Sequence, residues 1–420
     1  MVDVNVPFLF SGGSADITPT KKIPLSGFAP RTEPFSSVGT PLEVNAILLR
    51  NGSTKIVFVN ADLLYIGKEL RTEVLRRSKD VLREEELFMS STHDHYAPAT
   101  DPAKPLLGKT DGEYLEFVID KVSHLVRSVL SADPQPVTGT YSIGTNHTCS
   151  INRRRFGRIR SWVPRKEMLR LPNPDGCTDP AIRVLTFNNT AGDTVSAAWN
   201  FCCHPAGYHD SSSVSSDYPG AVRAMLRAKY GTMPILFWQG FSGNVNPPAF
   251  LRRPRILSRK FPEYVVFKLL NGREFGPYTS GQWEEWVNRL GESVVRVTVD
   301  ESRVRVEEKI ELKRKTIPLR SLGFESDDEL VFHRVSLGGI KILGISAEPV
   351  AEYVQILEKM FPGAHIIPVG CIDKTTLYLP TKEMLAEGGY ESNGFAKYFG
   401  LSGSYVPDFQ DRVEQVLRSL

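Results

Sequence analysis

The 420-residue chain is poor in cysteine, has no long apolar run and sits close to charge balance, and each shortage removes a class of function. Cys149, Cys177, Cys202, Cys203 and Cys371 are odd in number and contain no C-x-x-C, which argues against a disulfide framework or a zinc ribbon. Reduced thiols used for packing are expected. In the vicinal pair Cys202 and Cys203, strand alternation would send the two sulfurs to opposite faces, which disfavours a joint metal site. No segment has the ~18 uninterrupted apolar residues of a membrane span, and residues 1–10 lack both a basic start and an apolar stretch of signal-peptide length. A soluble, cytoplasmic protein with no integral membrane segment is therefore expected. A net charge of +3 gives no global attraction to nucleic acid or to an acidic membrane. Two basic clusters stand out: Arg153, Arg154 and Arg155 with Arg158 and Arg160, and Arg252, Arg253 and Arg255 with Arg259 and Lys260. They read as solvated faces, or alternatively as a grip on a carboxylate or phosphate. No aromatic-rich motif accompanies them, so nucleic acid is not the expected partner.

What is present is an alternation of strand and helix patterns. Asn45 to Leu49, Lys55 to Ala61, Ala181 to Phe187, Thr194 to Cys203, Pro234 to Gln239, Lys341 to Ser346 and Ala364 to Val369 read as strands. Gly67 to Leu82, Gly112 to Leu130, Tyr218 to Tyr230 with Asp217 as its cap, Gln282 to Val299 and Val350 to Met360 carry helical apolar spacing. Charged alternation from Val304 to Lys315 suggests exposed strands. Neither repeats nor linkers interrupt this pattern, and a layered α/β domain with mixed sheets and flanking helices is the class it implies.

Ionisable residues recur where these strands end. The run Phe88 to Pro98 reads as a buried strand closing on His93 and His95, which strand periodicity would project to the same side. His204 closes the apolar run from Ala197, and Glu348 closes the run from Ile342. A rigid strand that delivers one ionisable group to an open loop suits a metal ligand or a proton carrier, although such a residue alone is more often structural than a ligand. His124 sits in an amphipathic helix and reads as structural, while His209 lies close enough to His204 to be considered.

Taken in order, Ser14-Ala15-Asp16-Ile17-Thr18-Pro19, Val57 to Asp62, Ser91-Thr92-His93-Asp94-His95, Ser150-Ile151-Asn152-Arg153, Trp199 to His204, Gly243-Asn244-Val245-Asn246-Pro247, Ala347-Glu348 and Tyr378-Leu379-Pro380-Thr381 carry a resemblance. The chain resembles the N-terminal catalytic domain of the neutral/alkaline non-lysosomal ceramidases, zinc-dependent amidases, and in particular their shorter bacterial branch. That resemblance implies one catalytic domain over residues 1–420, with no C-terminal immunoglobulin-like domain. It implies zinc held by His93, His204, Glu348 and a tyrosinate at Tyr378, with His95 as the group that steadies an oxyanion or handles a proton, and Arg153 orienting substrate. Asn246 stands where ceramidases place a serine, which excludes a serine nucleophile there but leaves an amide able to hold water or substrate. Asn244 replaces the family aspartate and removes a charge that could have supported a ligand or a helix end. Asp16 and Asp62 are candidates for fixing the imidazole tautomers, or for structural caps.

The function implied is hydrolysis of a linear N-acyl amide by metal-activated water, and the arginine clusters leave room for an anionic group on the substrate. The same zinc site could instead serve an esterase or an acyltransferase. A scaffold of this fold that binds a small molecule or partner without turnover is the reading that Asn244 and Asn246 favour. A barrel amidohydrolase, which also uses H-x-H, is disfavoured because no eightfold βα alternation and no later ligand lysine can be traced.

Overall fold

The β-branched and aromatic runs gather into two sheets that share a core. The computed structural model of the chain describes residues 7–28, 31–158, 166–251 and 261–420, with the backbone alone for 261–265. Across the nine-stranded sheet the order is Ile235–Gln239, Thr194–Phe201, Ala181–Asn189, Gln135–Thr145, Phe8–Asp16, Glu43–Asn51, Thr54–Ala61 and Leu87–Ser91, with Val304–Val306 added beside Gln135–Thr145. The two ends of this order meet: Phe237 N donates to Asn60 Oδ1 at 2.9 Å, and the Phe58 ring lies 5.3 Å from Trp238. Side chains rather than a backbone ladder close that gap. A four-stranded sheet, Ile310–Pro318, Glu329–Leu337, Ile340–Ile345 and His365–Val369, packs against the first through Phe58, Phe88, Trp238, Val335, Ile342 and Ile367.

Helices cover the outer faces. Gly112–Ser131 starts at Asp111, whose side chain accepts from Tyr114 N at 3.0 Å, and its Leu115, Val118, Ile119 and Val122 fall on one stripe that is buried against the large sheet. Asp217–Tyr230 and Ser280–Val297 pack on the strands around Trp199 and Phe237, and Glu352–Met360 and Phe409–Arg418 join the core of the smaller sheet. Each fully buried leucine or valine in these interfaces contributes about 2 kcal/mol relative to exposure. The architecture is thus layered α/β with mixed sheets, as the alternation of patterns implied. No helix among the described residues is long and apolar enough to cross a membrane.

Two local expectations change. Asp217 does not cap its helix: it occupies the first turn at φ 44°, with Ser216 at the cap position, and its carboxylate accepts instead from Gly207 N at 2.8 Å and Trp283 Nε1 at 3.0 Å. Arg153 and Arg154 are buried rather than solvated, because Glu391 bridges them, accepting from Arg153 Nε and from Arg154 at 2.8 Å each. The second basic cluster, 252–260, lies outside the described residues. Cys202 and Cys203 are both buried and enter different apolar clusters, as alternation requires.

Candidate active site

Three parallel strand pairs deliver their C-terminal ends to one place. Leu87–Ser91 runs parallel to Thr54–Ala61 and leads to His93; Thr194–Phe201 runs parallel to Ile235–Gln239 and leads to His204; Ile340–Ile345 runs parallel to His365–Val369 and leads to Glu348. Parallel pairing sends the loops that follow such strands to a common edge, where polar groups can converge. A short parallel bridge then pairs Glu348 with Tyr378 in register, which sets these two residues side by side.

The histidine pair is not on a strand. Leu87–Ser91 ends before it, and His93 has φ 64°, a left-handed conformation that costs a non-glycine residue about 1 kcal/mol. The turn brings the His93 and His95 rings to 5.0 Å, nearly perpendicular at 89°. Strand periodicity therefore gave the right neighbours by the wrong geometry.

Backbone carbonyls orient the other nitrogens. His93 Nδ1 lies 3.2 Å from Leu64 O and His204 Nδ1 lies 3.1 Å from Val245 O. A carbonyl only accepts, so each Nδ1 carries a hydrogen, and each ring when neutral presents its Nε2 lone pair. Both Nε2 atoms meet the same carboxylate oxygen: Glu348 Oε2 is 3.2 Å from His93 Nε2 and 3.3 Å from His204 Nε2. The other oxygen, Oε1, accepts from Tyr65 OH at 2.5 Å. Tyr378 OH is 3.5 Å from His204 Nε2 and accepts from Arg153 at 3.3 Å.

Two imidazole acceptors and a carboxylate oxygen at this spacing repel unless a proton or a cation lies among them. His93 Nε2, Glu348 Oε2 and both nitrogens of His95 are buried without a hydrogen-bond partner. Unpaired buried polar atoms are costly, and here they point into one cluster. His93, His95 and His204 also offer ligand atoms within 4.8 Å of one another. Nitrogen and carboxylate donors in this number fit a divalent metal such as zinc.

Against burial, Cys371 and Glu348 raise the His93 imidazole well above the usual histidine range, so where no cation is bound a proton between His93 and Glu348 fills that role. Burial opposes the charge of Glu348, but the His93 and His204 imidazoles outweigh it and hold the carboxyl well below its usual range. Burial and the Arg153 guanidinium bring His204 down to about 4, and burial with the two neighbouring imidazoles holds His95 well below an ordinary histidine. Both rings are neutral at pH 7. Burial and the Glu348 carboxylate push the Tyr378 phenol up, against the pull of Arg153.

Residues 8–233, more than half of the chain, match the model of the N-terminal region of neutral/alkaline non-lysosomal ceramidase. The chain belongs to that family. Membership indicates a hydrolase acting on amide bonds. The fold is also that of solved ceramidases. Neutral ceramidase from Pseudomonas aeruginosa superposes with a TM-score of 0.73 at 16% identity, over 98% of this chain and 74% of that one. A ceramidase complexed with C2 superposes with a TM-score of 0.72 at 15% identity, with the same coverage.

The two asparagines of this ceramidase-family chain have distinct places. Asn246 Oδ1 accepts from Arg153 at 3.2 Å, and its amide nitrogen makes no hydrogen bond among the described residues. Asn244 lies at a helix start, accepting from Ala351 N at 2.9 Å and donating to Glu352 Oε2 at 2.8 Å. An aspartate at 244 would set two carboxylates against each other, so the amide matches Glu352 and is no sign of decay. Asp16 caps a turn through Thr18 N, and Asp62 pairs with Arg223. Neither touches a site histidine. His209 stacks on Tyr208 and Trp283, and His124 is exposed on its helix.

Several neighbours of the cluster escape sequence reasoning. Tyr65 and Glu391 hold Glu348 and Arg153, yet one reads as core and the other as an ordinary surface acid. A loop also wraps His95: Phe28 stacks on its ring at 4.9 Å, Arg31 covers Phe28 at 4.7 Å and donates to His95 O at 2.8 Å. Gly27 completes this clamp at φ 93°, where an added Cβ would fall 2.5 Å from His95 Nδ1. Only a glycine fits that contact.

Proposed function

We propose that the chain is a zinc-dependent amidase that hydrolyses a linear N-acyl amide, ceramide-type lipids being the substrate class its family points to. The observation that carries this reading is the meeting of two imidazole Nε2 atoms with one carboxylate oxygen, at 3.2 and 3.3 Å, in a buried cluster. In this proposal His93, His204, Glu348 and Tyr378 hold zinc, and His95 stays free for the reaction. Glu348 rather than His95 is the third ligand because its Oε2 already lies between the two imidazoles. The Tyr378 phenol needs a second cation beside Arg153 to ionise, since burial and Glu348 oppose its charge.

Zinc so held would supply Lewis acidity and make a water acidic enough to ionise near neutral pH. The chain's own residues do the rest. His95, neutral and with both ring nitrogens unpartnered, takes the proton of the attacking water and returns it to the leaving amine. Arg153 remains charged because Glu391 and Tyr378 favour its cation over the cost of burial, and it stabilises developing oxyanion charge. Asn246, with its oxygen committed to Arg153, has its amide hydrogens available for the substrate.

The test is amine release from a panel of N-acyl compounds that vary in acyl length and amine half, before and after chelation. Activity abolished by the chelator and restored by zinc supports the proposal. Activity that survives complete removal of metal sinks it, and faster turnover of matched esters than of amides would favour the esterase alternative.

A further inference from the structure

A small antiparallel sheet beside the site carries more positive charge than its own acids neutralise. Its strands Val245–Asn246, Ile151–Gly157 and Glu167–Asn173 lie in that order, and Arg170 stands directly opposite Arg154 in the register. Opposed residues of an antiparallel pair share a face, so two like charges meet there and repel unless anions offset them. Two carboxylates answer. Glu391 accepts from Arg153 with one oxygen and from Arg154 with the other, at 2.8 Å each, and Glu387 accepts from a second nitrogen of Arg154 at 3.0 Å. Neither acid pairs with Arg170, which forms no ion pair or hydrogen bond among the described residues.

Contacts join Arg170 to the candidate site. Its guanidinium lies 5.1 Å over the Tyr390 ring, the Arg153 guanidinium lies 5.7 Å from the same ring, and that ring packs on Tyr378 at 5.2 Å. One aromatic side chain thus links it to both. The Arg170 side chain is exposed, yet the surrounding protein and the Arg153 cation hold it below the usual arginine range, against the pull of Tyr378 and Glu391. An accessible side chain so enclosed lies within a cleft rather than on a convex face. From the far strand of the same sheet, the half-buried Asn246 adds an amide nitrogen that makes no hydrogen bond among the described residues.

We propose that the substrate amide carries an anionic group, a carboxylate or a phosphate, which Arg170 receives while Arg153 meets the scissile carbonyl. The planar fork of a guanidinium matches either oxyanion through two parallel hydrogen bonds. The bound group supplies the third negative charge that three guanidiniums and two carboxylates lack. Since both arginines border one ring, a ligand with only a few bonds between its amide and its anion touches both. A neutral amide would leave Arg170 beside two cations with nothing to offset its charge. The assignment rests on the amidase reading for its reaction and narrows the substrate class, whereas the anion contact itself is measured as binding.

The experiment compares soluble amides that differ in charge: neutral N-octanoylethanolamine, N-octanoylglycine with a carboxylate on the amine side, N-octylsuccinamic acid with one on the acyl side, and N-octanoyl-phosphoethanolamine. Their ketone isosteres, with a methylene in place of the amide nitrogen, give affinity to the full zinc-loaded chain by calorimetry without turnover. At least one anionic member should exceed the neutral one about tenfold in affinity and in kcat/KM, the effect of one charge-assisted contact. Which member gains distinguishes carboxylate from phosphate. Arg170→Gln should bring that ratio close to one, and Arg170→Lys, which keeps the charge but loses the fork, should restore part of it. A purely structural role, holding Tyr390 against Tyr378, would slow all the amides alike. No anionic preference in wild type, a preference that Arg170→Gln retains, or an equal loss on every amide would overturn the proposal. Arg170-dependent binding of an anionic isostere by a chain that releases no amine would leave the anion site standing and remove the amidase reading.

Discussion

His93 and His95 are one residue apart, yet the molecule holds them by different means. His93 is fixed by main chain: a carbonyl from the loop after Thr54–Ala61 takes its Nδ1, and Glu348, paired in register with Tyr378, meets its Nε2. His95 is held by packing: Gly27, Phe28 and Arg31 enclose its ring and backbone while both its nitrogens stay free. Backbone fixation suits a ligand whose position must not vary, and a side-chain clamp suits a group that must exchange protons.

The comparison breaks most severely when the first half is removed. His204→Ala should lose bound metal and at least about a thousandfold in kcat, as expected when the Lewis acid and its water are lost together; elemental analysis beside amine release checks both. Arg153→Met removes one charged donor and should cost about 3 kcal/mol of barrier with metal retained. It also strands Glu391 with only Arg154, so a lower Tm should accompany the slower rate.

On the His95 side the expected effects are smaller and spare the metal. Gly27→Ala drives a methyl group into His95 Nδ1 and strains φ 93°, so kcat should fall about tenfold or more while zinc content stays at the wild-type level. Phe28→Ala, which only loosens the stack, should cost a few-fold. Equal loss of zinc in these variants would erase the distinction between the two halves.

His333 sharpens the comparison from outside the site. It too is buried with a carbonyl partner, Glu85 O at 3.1 Å from Nε2, but it has no converging acceptors, and burial brings it down to about 4. The unfolded chain takes up this proton near pH 6.5 and the folded chain does not until about 4, so stability falls as pH drops through that window, by on the order of 3 kcal/mol from this group. His333→Gln should flatten the dependence of urea unfolding on pH there without altering activity at neutral pH.

Much of this was legible in the sequence because strands announce themselves through β-branched runs and because ionisable residues at their ends are conspicuous. His93, His95, His204, Glu348, Tyr378, Arg153 and Asn246, named from motifs, come together within one cluster. What stayed hidden depends on tertiary placement. Nothing in the spacing tells that Arg153 is buried, since its neutralising partner Glu391 lies far along the chain. Tyr65 looks like any core tyrosine until Glu348 is beside it. The clamp of Gly27, Phe28 and Arg31 leaves no periodic signal, because loop residues are positioned by what they touch.

The central claim is that His93, His204, Glu348 and Tyr378 hold the metal while His95 does not. Zinc content per chain, measured on purified wild type, His204→Ala and His95→Ala, tests it most directly. The account predicts near-stoichiometric zinc in wild type and in His95→Ala, with none in His204→Ala. Folded wild type that takes up no zinc, or zinc lost equally from His95→Ala, would contradict it.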